Sequence, residues 1–189
     1  MFLLKIKHCM EIKVETKQIL KVLHIISWII FVGLCIEAGS FIYNAISTYF
    51  MNPRNASYFQ LSNLYEYDSG YFYIEILLMT IVGVLKAILF YIIVKFLQDK
   101  KLNFMQPFTV YMKRFIFTLT YLGLGIGLFC VWGAKYREWF MQQEVKMPDV
   151  QTLNIGGADV WLFMGITLFI IAQIFKRGIE IQSENELTV

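Results

Sequence analysis

Two charged side chains stand where charge is hardest to keep. Glu37 lies inside the apolar run from Val22 to Ile46, and Lys86 inside the run from Phe72 to Leu97. On insertion scales a charge at the bilayer centre costs at least about 2.5–3.5 kcal/mol, and such residues usually pair or line an ion path. Counted from the cation-rich ends of their runs, Glu37 is 15 residues up from Val22 and Lys86 is 11 residues up from Leu97. At about 1.5 Å per residue the depths are about 22 Å and about 16 Å. A lysine stem bridges most of that difference. Glu37 and Lys86 are therefore the candidate intramembrane polar pair. They either fix helix register as an ion pair or serve an ion path or a ligand as counter-ion. Glu75 is one turn into its run and can snorkel outward. Asp159 follows Gly156-Gly157-Ala158 and suits an N-cap, with its carboxylate at the positive end of a helix dipole.

The other chemistry-bearing residues do not assemble. His8 and His24 are the two histidines, which gives no intramembrane imidazole pair for haem. There is no HExxH zinc motif. Cys9, Cys35 and Cys130 contain no CxxC, and each reads as a small hydrophobe. No Ser, His and Asp meet at a common depth. The expectation is a protein without enzymatic function, with no catalytic residue, no cofactor site and no metal site.

The elements that position these residues follow from composition. Of 189 residues, 58% are hydrophobic and 16% charged. A soluble domain carries about 25% charged residues. Low charge argues against a disordered chain, and a net charge of +3 is too small to argue for direct nucleic-acid binding. A hydrocarbon core of about 30 Å needs about 20 apolar helical residues. Four runs meet or approach that length: 22–46, 72–97, 115–134 and 160–175. The last would cover only about 24 Å and would need its flanks or a thinned bilayer. The runs are apolar on every side, so a β-barrel, which alternates, is excluded. The fold class expected is all-α, an integral membrane four-helix bundle. A segment 1–21 precedes the spans and a tail 176–189 follows them. Neither is long enough for a separate domain.

Lysine and arginine set the orientation. Lys5, Lys7, Lys13, Lys17, Lys21, Lys95, Lys100, Lys101, Lys113, Arg114, Lys176 and Arg177 share one side. Arg54, Lys135, Arg137 and Lys146 fall on the other. The positive-inside bias puts both termini in the cytoplasm. Phe2–Leu4 is too short for a signal-peptide core and is interrupted by Lys5 and Lys7, so the first run reads as a retained signal-anchor. Met10 is an alternative start, because the regular polar–apolar pattern begins after it.

The first outer loop is rich in aromatics, from Tyr49 and Phe50 through Tyr58, Phe59, Tyr65 and Tyr67 to Tyr71, Phe72 and Tyr73. Trp132, Trp139 and Trp161 join them on that side, as an interfacial belt or a pocket wall. Asn55-Ala56-Ser57 matches a glycosylation acceptor, a pattern common by chance. Gly123 and Gly127 form one GxxxG, which serves close packing within the bundle or, more sharply, a homodimer. On the cytoplasmic side Pro107 suits the first turn of the third helix. The mixed charge of the tail argues against a polybasic lipid anchor.

One resemblance rests on these cytoplasmic segments. Pro107-Phe108 followed by Lys113-Arg114, the last span running into Phe175-Lys176-Arg177-Gly178, Glu180-Ile181-Gln182, and the terminal Glu186-Leu187-Thr188-Val189 resemble the bacterial four-span membrane family labelled DUF two-nine-seven-five. The likeness runs from about Lys17 to Val189, and the long loop Lys135 to Asp159 is less typical of it. The family has no established activity. The resemblance implies a multi-pass protein of the bacterial inner membrane, and family members often lie beside a small helix-turn-helix regulator. The expected function is a regulatory or signalling module in the lipid bilayer. It would hold a cytoplasmic partner such as that regulator on Pro107, Phe108, Lys113, Arg114, Lys176, Arg177, Glu180, Gln182, Glu186, Leu187 and Val189. The alternative is a small-ligand or ion binding or transport protein using Glu37 and Lys86.

Overall fold

A computed structural model describes residues 2–99 and 108–186, with the side chains of 2–17, 53, 185 and 186 outside the description. Helix α1 is Phe2–Phe50, a short 3-10 helix is Pro53–Phe59, and α2 is Ser62–Tyr67. Helices α3 (Ser69–Gln98), α4 (Val110–Gln142) and α5 (Ala158–Glu186) complete the chain. The fold is all-α. Four helices, α1, α3, α4 and α5, are long and apolar enough to cross a membrane. In hydrocarbon a helix is the form in which a single segment satisfies its own backbone donors and acceptors. Large apolar side chains point outward along these helices, as Ile29 (67% exposed), Ile36 (69%) and Phe163 (73%) do. Lipid is the solvent such a surface calls for.

The helices overrun the expected spans. The run 160–175 sits within the 29-residue α5, about 43 Å long at about 1.5 Å per residue, so no thinned bilayer is needed. The segment after Lys176 is not a detached tail: it continues the same helix as far as Glu186. Helix α4 starts at Val110, where the Thr109 hydroxyl caps it by accepting from the Met112 N–H. Pro107 therefore precedes the helix rather than occupying its first turn, and Pro107 itself lies outside the described residues. Asp68 caps α3, its carboxylate accepting from the Gly70 and Tyr71 N–H groups. Asp159 is within the first turn of α5 rather than at its cap. Its charge still faces the positive end of the dipole.

Packing follows chain order: α1 lies on α3, α3 on α4, and α4 on α5. The α4–α5 seam is built on glycine. A Cβ at Gly127 would come within 2.7 Å of Leu162 Cγ, and one at Gly165 within 3.0 Å of the Leu124 backbone nitrogen. Gly123 faces Met164 and Gly165 in the same way. The GxxxG face is therefore occupied by α5 of the same chain. The homodimer expected through Gly123 and Gly127 loses its surface, because those glycines already serve an internal seam.

The outer end is a folded cap rather than a pair of open loops. Leu61 and Leu64 of the first loop are fully buried, as are Leu153 and Ile155 of the second. Ile155 fills the notch left by Gly133, where a Cβ would lie 2.7 Å from Ile155 Cδ1. Many of the loop aromatics do not form a belt. Tyr67, Tyr71, Tyr136 and Trp139 surround Phe140, which is fully buried, with ring centroids 4.7–6.0 Å away. Edge-to-face geometry at these separations is the favourable arrangement for aromatic pairs.

Candidate functional site

The proposed partners Glu37 and Lys86 are not brought together. Lys86 leaves the α4-facing side of α3 and its Nζ donates to the Asn154 carbonyl at 2.9 Å. A helical Cβ leans toward the helix N-terminus, and the N-terminus of α3 is its outer end, so Lys86 naturally reaches outward. Glu37 stays half-buried on α1, the helix on the other flank of α3. No ion pair joins the two among the described residues. The register that made them look level ignored where each stem points.

Lys86 instead takes part in a clamp on the second outer loop. Arg137, near the outer end of α4, donates through Nε to the Pro148 carbonyl. Asn63 of α2 donates to the Lys146 carbonyl at 3.4 Å. The segment between Lys146 and Asn154 is thus tied to α2, α4 and α3 in turn. It also ties itself: the Asp149 carboxylate accepts from the Thr152 N–H at 2.7 Å, and Asn154 takes a left-handed φ of 57°. That hydrogen bond holds the Asp149 carboxyl below the usual carboxylate range. Asparagine adopts this conformation more readily than most side chains.

Glu75 is enclosed next to this clamp. It is fully buried, and neither carboxylate oxygen has a hydrogen-bond partner. The Arg137 guanidinium and the Tyr136 phenol fall within electrostatic reach of it. The Tyr136 hydroxyl itself donates to the Tyr71 carbonyl at 3.4 Å. Glu75 does not snorkel outward as its place near the helix end suggested, because the folded cap covers it. A buried acid without a partner is costly to hold, and such groups concentrate at functional sites. Deeper in the same crevice, the buried Cys130 of α4 is an electrostatic neighbour of Lys86. Among the described residues no cluster of His, Cys, Asp and Glu is placed to hold a metal ion.

The cytoplasmic candidates form a second, looser group. The Phe108 ring lies 5.3 Å from that of Phe175 and sits in the notch at Gly178, where a Cβ would be 2.5 Å from Phe108 Cδ1. Arg177 pairs with Glu180 at 3.2 Å across one turn of α5. Arg114 and Lys176 are exposed, and Lys113 is half-buried. Gln182 lies on the exposed end of α5. Glu186 ends that helix, its side chain outside the description, and Leu187 and Val189 lie outside the described residues altogether.

Sequence reasoning missed the Arg137 and Asn154 roles. Arg137 counted only as an outer cation. Its position two residues past Lys135, next to a long loop, was the available signal. No family model matches the chain, and no curated protein or solved structure matches it either.

Proposed function

We propose that this multi-pass protein is a non-enzymatic signalling module of the bacterial inner membrane, with the Glu75 crevice as its outer input and the far end of α5 as its cytoplasmic output. The observation that carries the reading is continuity. The loop held by Arg137 and Lys86 runs directly into α5, and α5 continues as one helix to Glu186. A change in charge or ligation at Glu75 would bear on Arg137, hence on the loop, hence on the start of α5. The glycine seam makes α5 a close-fitting partner of α4, which suits small rigid shifts rather than local bending. At the other end Phe108, Arg114, Lys176 and Arg177 offer an aromatic edge and cations to a soluble partner, for which the resemblance noted above suggests a regulator.

Hydrogen exchange on the purified full chain tests this. Lys86→Met releases one end of the loop. Exchange is expected to rise in 146–157 and also in 176–186. A rise confined to the loop would sink the signalling reading and leave α5 a passive anchor. The transport alternative built on Glu37 and Lys86 has no shared cavity in support, since the two side chains point to different neighbours.

A further inference from the structure

A polar cavity opens at the outer end of α1, away from the Glu75 crevice and independent of the function proposed above. It holds about 310 Å³ between α1 and the 3-10 helix. Ser40, Tyr43, Asn44, Ser47, Ser57 and Tyr58 line it, with Asn55 at its edge, and no charged side chain takes part. Its hydrogen-bonding character is one-sided. The hydroxyls of Ser40, Ser47 and Ser57 donate to the carbonyls of Glu37, Asn44 and Arg54, at 2.7, 3.1 and 2.8 Å. Their protons are spent, and their lone pairs remain. The Asn44 amide nitrogen donates to the Asn55 carbonyl at 2.9 Å, while its oxygen has no partner although Asn44 is only 4% exposed. These side chains leave the cavity rich in acceptors, so a ligand must bring donors. Two tyrosines, Tyr43 and Tyr58, stand exposed at its rim and offer π faces.

The level of the cavity narrows the ligand further. Ser40 to Ser47 lie 18 to 25 residues beyond Val22, where the first apolar run begins. At about 1.5 Å per residue that is about 27–38 Å, the outer edge of a hydrocarbon core about 30 Å thick. A primary ammonium carries three donors and no acceptor, and its charge is attracted to aromatic faces. Next to the cavity, sharing Ser57, is a second hollow of about 420 Å³ that Arg54 lines. Its guanidinium is suited to a phosphate one linker away from the ammonium.

We propose that this cavity binds a phosphoethanolamine group, its ammonium held by the Asn44 oxygen and the serine hydroxyl oxygens between Tyr43 and Tyr58, and its phosphate by Arg54. The group is carried by phosphatidylethanolamine or occurs free, and the test separates the two. The full chain is placed in nanodiscs of phosphatidylethanolamine or of phosphatidylcholine and released into native mass spectrometry. Phosphatidylcholine keeps the charge and the phosphate but has no N–H to give. Retention of phosphatidylethanolamine is expected to exceed that of phosphatidylcholine by about tenfold, the worth of one to two hydrogen bonds. Tyr58→Leu and Asn44→Leu should each reduce that preference. Trp132→Leu, an exposed aromatic on α4, should leave it intact. Tyr58 is exposed, so its variant keeps the test valid if Asn44→Leu fails to fold. Soluble phosphoethanolamine that competes the lipid off would assign the site to the free compound. Failure to compete, with the lipid preference intact, assigns it to the lipid. Equal retention of the two lipids, with no uptake of soluble phosphoethanolamine, overturns the proposal.

Discussion

At the outer end, Lys86 and Arg137 donate to carbonyls of one loop and Glu75 is enclosed beside them without a partner. At the cation-rich end, Arg177 and Glu180 pair in the open, their side chains 65% and 44% exposed. Both ends carry charge, but to different effect. Outside, charge is removed from solvent, so each group must be satisfied by the fold or left at a cost. Inside, charge remains in water, where it contributes little to stability and stays available to a partner. The outer end therefore has stored energy that a signal could release, and the inner end has surface that a partner could read.

The contrast depends on α5 being held rigidly between the two ends, and the seam is where it can be broken most severely. Gly165→Leu would push a side chain into the Leu124 backbone. A loss of about 3 kcal/mol or more is expected, as for overpacking without room to relax. It would show as a lower thermal midpoint and a lost monodisperse peak in size-exclusion chromatography. Gly33→Leu, on the open face of α1 with nothing within 4 Å, should leave both unchanged.

The seam also shows how far the sequence could be read. The four spans were legible because apolar runs of this length have few other uses in a chain, and the GxxxG was legible as close packing. The choice between an internal seam and a dimer was not, since both need the same small residues. The loop clamp was less legible still. The acceptors of Lys86 and Arg137 are the backbone carbonyls of Asn154 and Pro148, and every residue has a carbonyl. Pairing Lys86 with Glu37 looked natural because side-chain charges are the partners a sequence displays. Glu75 was read as reaching outward because nothing in the sequence said that Leu61, Leu64, Leu153 and Ile155 would fold over that end.

Glu75 sharpens the comparison next. Its carboxylate has no hydrogen bond, so Glu75→Gln should stabilise the protein by about 1–3 kcal/mol, the range for an unsatisfied buried group. The same variant should abolish any response passed to α5, a gain in stability at the expense of function. A lowered thermal midpoint would mean that attraction to Arg137 outweighs burial.

Asp149 makes the outer loop sensitive to acid. Its folded-state carboxyl titrates below the usual range because Thr152 donates to it. A depressed carboxylate contributes stability that is present above its unfolded-state value and is lost as pH falls through the folded one. Amide exchange at Thr152 and Leu153 should therefore quicken below about pH 4, near the unfolded value for Asp. Asp149→Asn should show fast exchange at every pH. Exchange in the Arg177–Glu180 segment should not follow the same profile.

The smallest effect is expected at that inner pair. Arg177 precedes Glu180 by three residues, the less favourable order on a helix, and Glu180 sits in the later part of α5, toward the negative end of its dipole. Exposure and salt screening reduce the attraction further. A double-mutant cycle with Arg177→Gln and Glu180→Gln should give a coupling of about 0.3 kcal/mol or less in thermal or denaturant unfolding, vanishing at high salt. The reversed pair, Arg177→Glu with Glu180→Arg, should fold as well as the wild type, because the cation then follows the acid. If the inner end is a surface for a partner, that reversal should nonetheless abolish co-purification of whatever binds there. If co-purification persists unchanged, charge at this end of α5 is not what the partner reads, and the contrast with the outer end is one of burial alone.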